Sequence, residues 1–321
     1  MRILDAHTVR RALDMKGAIE AVRQGFIALS AGRAIVPLRS AVETGHGVTL
    51  YMPAYLQGEP YSAVKIVSVF PRNPERGLPT INAAVLVLDA QSGQLLALLD
   101  GTYLTALRTG AASGLATDLL ARPEARTLGV IGAGAQARTQ VEAVCAVRPI
   151  ETIRIYSLSG AEALAEEARR KSRAQVMVAG SAHEALAGAD VVVAATNSRM
   201  PVVHLADLSP GVHINGIGSF TPEMQEVAAD VVARAKIVVD HRPSVWAEAG
   251  DLIQARDQGF IKEEDIYAEI GEIAAGQLPG RTDADEITFF KSVGNAVQDA
   301  AVAARVLAVA EAHRLGVEVA L

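Results

Sequence analysis

The chain has 321 residues, half of them apolar, with 30 basic and 36 acidic side chains and a formal net charge of −6. That length suits about two domains with a large core, and the acidic balance excludes the cationic footprint of bulk nucleic-acid binding. Cys145 is the only cysteine, which excludes an intrachain disulfide and a cysteine-ligated metal. No apolar run reaches the length of a membrane span. The charged N-terminus lacks the apolar segment of a signal peptide, so a cytoplasmic protein is expected.

Residues 8–31 predict one helix, with Val9, Leu13, Ile19, Val22, Phe26, Ile27 and Leu29 at near-helical spacing and Gly32 as the stop. Short β-like runs follow at Val48–Met52, Ala63–Phe70, Ile81–Leu88 and Leu95–Leu99, with Asp89–Gly93 as a hairpin turn. Residues 102–121 predict a helix rich in small side chains. From 127 the rhythm becomes strand–helix–strand. The strands are Leu128–Ile131, Thr152–Tyr156, Val176–Val178, Val191–Ala194, His213–Gly216 and Ile237–Val239, with helices near 137–147, 160–173, 182–188 and 223–235. This alternation predicts an α/β fold with a Rossmann-type, doubly wound parallel sheet, beside an α+β domain built from the residues before it. The turn Ser292-Val293-Gly294-Asn295 opens a last helix, Ala296–Leu315, expected to return to the first domain. The predicted domains are 1–120 with 300–321, for substrate and dimerisation, and 121–299, for a dinucleotide.

Thr127–Ala137, TLGVIGAGAQA, carries the clearest chemistry. An apolar strand meets Gly132 and Gly134, with Ala137 as the third small residue. The first glycine permits a tight turn, the second lets the backbone approach a pyrophosphate, and the third small residue allows helix–sheet contact. The following helix start supplies N–H donors and partial positive charge. At the end of the second strand stands Ser157 rather than an acid. A neutral hydroxyl there does not repel a ribose 2′-phosphate, so NADP(H) is preferred and NAD(H) is possible.

Three cations stand among apolar or small residues: Arg39, Lys65 and Arg108. Burying such charges is costly unless they are paired. Carboxylate recognition is the simplest use for the set; an exposed strand or a structural ion pair is the alternative for each, less so for Arg108 among its small neighbours. The seven histidines form no metal-spaced cluster, and no metal site is expected. Asp299 and Glu226 could serve as acids or bases, but read as ordinary helix and loop carboxylates.

The chain resembles the ornithine cyclodeaminase/μ-crystallin family over nearly its full length. The resemblance rests on KIVSVFPRNPERGLPT (65–80), LVLDAQSGQLLALLDGTYLTALRTGAAS (86–113), GVIGAGAQA (129–137), HINGIGSFTPEMQE (213–226) and the Ser292-Val293-Gly294 turn with Val297-Gln298-Asp299. It implies a two-domain homodimer. It places substrate contacts at Arg39, Lys65, Arg108 and Val293. It places cofactor contacts at Thr80, Arg108, Thr109, Ala135, Gln136, Thr196, Ile217, Gly218, Ser219 and Ser292, beside the Gly132, Gly134 and Ser157 of the turn and second strand. The family's cyclodeaminases and its alanine dehydrogenase carry an aspartate shortly before the proline of the 218–222 loop; here that position is Phe220. Phenylalanine cannot shuttle a proton, whereas cyclodeamination and reductive amination need acid–base help. Reduction of a preformed cyclic imine needs less. The expected activity is therefore reduction of Δ1-pyrroline-2-carboxylate or its six-membered homologue. The alternatives are a cyclodeaminase or alanine dehydrogenase, and a μ-crystallin-like protein that binds NADPH and a small ligand.

Overall fold

The computed structural model describes residues 1–320. After β1 (Arg2–Leu4), two helices form where the apolar spacing predicts one: α1 (Ala6–Ala12) and α2 (Met15–Ser30). Leu13 is extended, and Asp14 accepts from the Gly17 amide at 2.8 Å, capping α2. Asp5 caps α1 through the Thr8 amide. Each carboxylate satisfies a donor that a helix start leaves orphaned, and this local signal overrides the periodicity.

The strands β2 (Ala34–Ile35), β3 (Ser40–Glu43), β4 (Val48–Leu56), β5 (Tyr61–Val69), β6 (Ile81–Asp89) and β7 (Leu95–Asp100) come next. From β4 to β7 they form an antiparallel meander. The turn between β6 and β7 is closed by Asp89, which accepts from the Gln91 and Ser92 amides. The long helix α3 (Gly101–Leu120) follows.

The second sheet is assembled from β8 (Thr127–Ile131), α4 (Ala135–Val147), β9 (Thr152–Tyr156), α5 (Ala161–Lys171), β10 (Gln175–Val178), α6 (Ala182–Leu186), β11 (Val191–Ala194) and β12 (His213–Gly216). It continues through α7 (Ala229–Arg234), β13 (Lys236–Val239), α8 (Arg242–Glu248), α9 (Gly250–Asp257), β14 (Ile266–Glu269), α10 (Ile270–Ala274) and β15 (Thr288–Lys291). The chain then forms α11 (Ala296–Ala312) and β16 (Val317–Glu318).

The chain divides into two compact units, Met1–Arg108 with the segment from Ala296, and Thr109–Asn295. The first division falls inside α3, not at 120/121, because the second half of that helix packs on α4. A Cβ on Gly110 would lie 2.6 Å from the Thr139 carbonyl oxygen. The second falls at 295/296, where α11 begins, rather than at 299/300.

In the first unit the sheet order is β16-β1-β7-β6-β5-β4-β2, with β3 also on β4. The helix α11 packs on α2 and on β4, β5 and β6, and Gly25 lets α2 approach the Val297 carbonyl closely.

In the second unit eight parallel strands run β10-β9-β8-β11-β12-β15-β13-β14. The chain moves outward from β8 in one direction, then returns to build from β11 in the other, which is the doubly wound arrangement. Both faces are covered. Val191 and Val193 enter one core with Leu128, Val130 and Leu164, while Val192 and Ala194 enter another with Ile214 and Phe289. The helix expected at 223–235 is limited to Ala229–Arg234, because the Glu226 and Val227 amides donate to Asp251 instead of to a helical carbonyl. Among the described residues no helix is long and apolar enough to cross a membrane.

Candidate active site

In the first unit, β5 and α3 carry Lys65 and Arg108 to the same carboxylate. Lys65 Nζ lies 2.7 Å from Asp299 Oδ2, and Arg108 Nε donates to Asp299 Oδ1 at 3.1 Å. A second guanidinium nitrogen of Arg108 donates to Gln298. Lys65, Arg108, Gln298 and Asp299 are all buried. Burial and then the nearby Arg108 pull the Lys65 ammonium down from 10.5 to about 8, against the attraction of Asp299. Arg39, half-buried just before β3, adds to the depression and is therefore within electrostatic reach. The structure thus joins Lys65 and Arg108 on one carboxylate, with Arg39 near enough to act on Lys65. One carboxylate stands among them, which leaves positive charge in excess and favours an anionic ligand.

In the second unit, the glycine turn joins β8 to α4. Gly132 has φ of 103°, and a Cβ there would lie 2.4 Å from the Ala195 carbonyl oxygen. Gly134 is different. Its φ of −74° suits any residue, and a Cβ on it would meet nothing within 4 Å. No side chain caps α4, so its first amides have no side-chain acceptor. Gly134 and Ala135 are exposed, and the buried Gln136 Oε1 has no hydrogen-bond partner. Open space over a glycine and uncapped amides at a helix start fit a dinucleotide pyrophosphate; Gln136 Oε1, an acceptor, suits a hydroxyl donor instead. Ser157 is half-buried at the end of β9, and no carboxylate stands between it and the start of α5.

The other predicted cofactor residues fall into two groups. Thr80 is half-buried beside β6, and its carbonyl accepts from the Phe70 amide. Thr109 is buried in α3, and its carbonyl accepts from Gln140 at 3.2 Å. The second group lies on loops held by buried acids. Glu226 accepts from the Thr196, Gly218 and Ser219 amides. The Ser219 hydroxyl donates to the Met224 carbonyl, so Ser219 has spent both its donors within the loop. Ile217 is buried, and Phe220 is 50% exposed. Asp240 accepts from the Ser292 hydroxyl at 2.7 Å and from the Val293 and Gly294 amides at 3.0 and 2.9 Å. Burial pushes both Glu226 and Asp240 up from the ordinary carboxylate range; Lys291 and the amide donors oppose this for Glu226, and the Ser292 hydroxyl opposes it for Asp240. Neither Ser219 nor Ser292 offers its hydroxyl proton to a ligand in this arrangement.

The sequence marks the cations and the glycine turn directly, and offers Asp299 and Glu226 only as ordinary carboxylates or general acids and bases; their organising role, and Asp240 and Asp251 altogether, were missed. Isolated carboxylates in helices and loops carry no spacing signal. The one available hint was that Asp299 stands alone in an apolar helix.

The family model of the ornithine cyclodeaminase/mu-crystallin family matches residues 1–313. The chain belongs to that family. A Bacillus cereus relative named Delta(1)-pyrroline-2-carboxylate reductase is 40% identical over 308 residues, 94% of each chain. An alanine dehydrogenase of Archaeoglobus fulgidus is 38% identical over 301 residues, 94% of this chain and 92% of the relative. Among solved structures, the Thermococcus litoralis Delta(1)-pyrroline-2-carboxylate reductase in complex with NADH and L-proline superposes with a TM-score of 0.95. It is 41% identical and covers 99% of this chain and 100% of its own. An archaeal alanine dehydrogenase dimer with bound NAD gives 0.93 at 36% identity, covering 100% and 99%. The expected family and fold class are thereby borne out.

Proposed function

We propose that this protein is an NAD(P)H-dependent reductase of cyclic α-imino acids, converting Δ1-pyrroline-2-carboxylate to L-proline and accepting the six-membered homologue. The observation that carries the choice of reaction is Phe220. Where the family's deaminating enzymes place an aspartate, the loop after β12 presents a half-exposed aromatic ring with no titratable group. The relatives named as Δ1-pyrroline-2-carboxylate reductases support the same reading.

Arg39, Lys65 and Arg108 hold the substrate carboxylate and so fix the position of C2. Asp299 keeps two of these cations in place. The glycine turn, with Gly132, Gly134, Ala135 and Gln136, receives the pyrophosphate. Thr80, Thr109, Thr196, Ile217, Gly218 and the 292–293 turn serve the rest of the cofactor and the substrate. A reduced nicotinamide held there would supply hydride to C2, and the C=N electron pair would pass to a nitrogen that is protonated from solvent or already carries its proton. The protein's contribution is mainly positioning and charge. Ser157 favours NADPH over NADH, with NADH also used.

The reading includes a homodimer in the cytoplasm. Leu38, Leu78, Ile35, Val42 and Ile81 expose apolar surface on the first unit, which suits a subunit interface. The test is oxidation of NADPH and NADH with the cyclic imine, alongside an ammonia assay. Imine-dependent oxidation without ammonia is expected. Ammonia release from ornithine, or oxidation that requires pyruvate and ammonia, with no turnover of the imine, would overturn the assignment. Tight cofactor binding without turnover of any imine would favour a ligand-binding role.

A further inference from the structure

The loops after β11 and β12 leave the C-terminal edge of the parallel sheet, where a doubly wound fold receives its ligand. One side chain ties them together. Glu226 Oε1 accepts from the Thr196 amide at 2.5 Å, and Oε2 accepts from the amides of Gly218 at 2.6 Å and Ser219 at 3.1 Å. Donors from two separate loops therefore converge on a carboxylate that is fully buried. The loops are pressed so close that a Cβ on Gly218 would lie 1.9 Å from the Thr196 carbonyl oxygen and 2.6 Å from Glu226 Oε1. Glu226 is held in turn. Its own amide donates to Asp251 Oδ1 at 2.6 Å, and Asp251 pairs with Lys291 at 2.8 Å, both wholly buried.

We propose that Glu226 is a positioning residue for the cofactor, fixing the 196 loop against the 217–219 loop before the cofactor arrives. Its oxygens are occupied by loop amides and do not touch the ligand. Hydrogen bonds to a charged acceptor are about twice as strong as neutral ones, and this buried set keeps the loops from sampling other spacings. A site already in its bound shape avoids the ordering cost on binding. The proposal rests on the cofactor reading above.

Glu226→Gln keeps the shape but aims an amide NH2 at backbone donors. In the folded variant, NADH and NADPH are titrated by their own fluorescence, without imine. Both dissociation constants are expected to rise about tenfold or more, the loss of at least one charge-assisted hydrogen bond. The cofactor KM should rise with them while the imine KM stays unchanged, a split that general destabilisation would not produce. Wild-type dissociation constants in a folded Glu226→Gln protein would overturn the proposal. If that variant does not fold, hydrogen exchange on the wild-type chain decides. Peptides covering 194–198 and 216–220 should be as protected without cofactor as with it. Strong protection that appears only on cofactor binding would overturn the proposal, since the ligand would then be ordering the loops. Wild-type protein that binds neither nucleotide would overturn the cofactor reading, and this proposal with it.

Discussion

Lys65 and Asp299 meet at 2.7 Å, with both side chains only 2% exposed. The other oxygen of the same carboxylate takes Arg108. One acid on α11 thus sets two cations from β5 and α3, and without it those cations would face each other in a low-dielectric interior.

Asp299→Ala is expected to lower stability by about 3–5 kcal/mol, because it strands buried charge rather than removing a surface pair. Urea denaturation measures this. Asp299→Asn should fold better, yet both variants should raise the imine KM, since the cations lose their common anchor.

Lys65 makes activity and stability respond oppositely to alkali. Its folded value of about 8 lies below the ordinary 10.5. Between these values the unfolded chain binds more protons, so this residue makes folding stability rise with pH across that window. Carboxylate binding needs the charged form, so kcat/KM for the imine should fall as pH rises through about 8. Lys65→Arg, which stays charged, should lack that falling limb even if its overall rate is lower.

The two glycines of the turn should separate folding from binding. Gly132→Ala must adopt φ of 103° and meet the Ala195 carbonyl oxygen at 2.4 Å; it should lose at least ~1–2 kcal/mol. Gly134→Ala has ordinary φ and open space, so its stability should stay within about 1 kcal/mol of wild type. Its cofactor KM should nevertheless rise at least about tenfold, because the methyl group fills the pyrophosphate's approach. Thermal melts and cofactor titrations distinguish the two.

Ser157→Asp should lower the ratio of kcat/KM for NADPH over NADH by about tenfold or more, through repulsion of the 2′-phosphate. An unchanged ratio would place cofactor discrimination elsewhere.

Phe220→Leu should retain imine reduction within about tenfold, roughly 1.4 kcal/mol of barrier. Its pH–rate profile should superimpose on that of the wild type. A displaced profile would mean that protonation depends on this loop.

The parallel unit was legible because strand–turn–helix alternation and GAGAQA leave direct marks in the sequence. Lys65 and Arg108 stood out as charges among apolar neighbours. What joins them was not legible: Arg108 and Asp299 are 191 residues apart, and Asp299 looks like the polar side of a helix until α11 is seen buried. The loop-holding role of Glu226, and Asp240 altogether, escaped notice for another reason. Both acids act on backbone amides, which every residue except proline carries, so their partners leave no side-chain pattern. The split between α1 and α2 turned on Asp14, a cap hidden inside a periodic apolar run. The strand β15 was missed because its four residues, Thr-Phe-Phe-Lys, are all buried and show no alternation.

The return of α11 and β16 to the first unit has a consequence for biosynthesis. The meander of β4 to β7 leaves the ribosome before the second unit, but the helix that covers it and the strand that pairs with β1 are made after that unit. The second unit is a continuous stretch and can fold while translation proceeds, as domains generally do. The Lys65–Asp299–Arg108 cluster is therefore completed only after the second unit has been synthesised. A nascent chain that stalls before α11 would carry a bare apolar sheet and two cations without their acid, a natural target for chaperones.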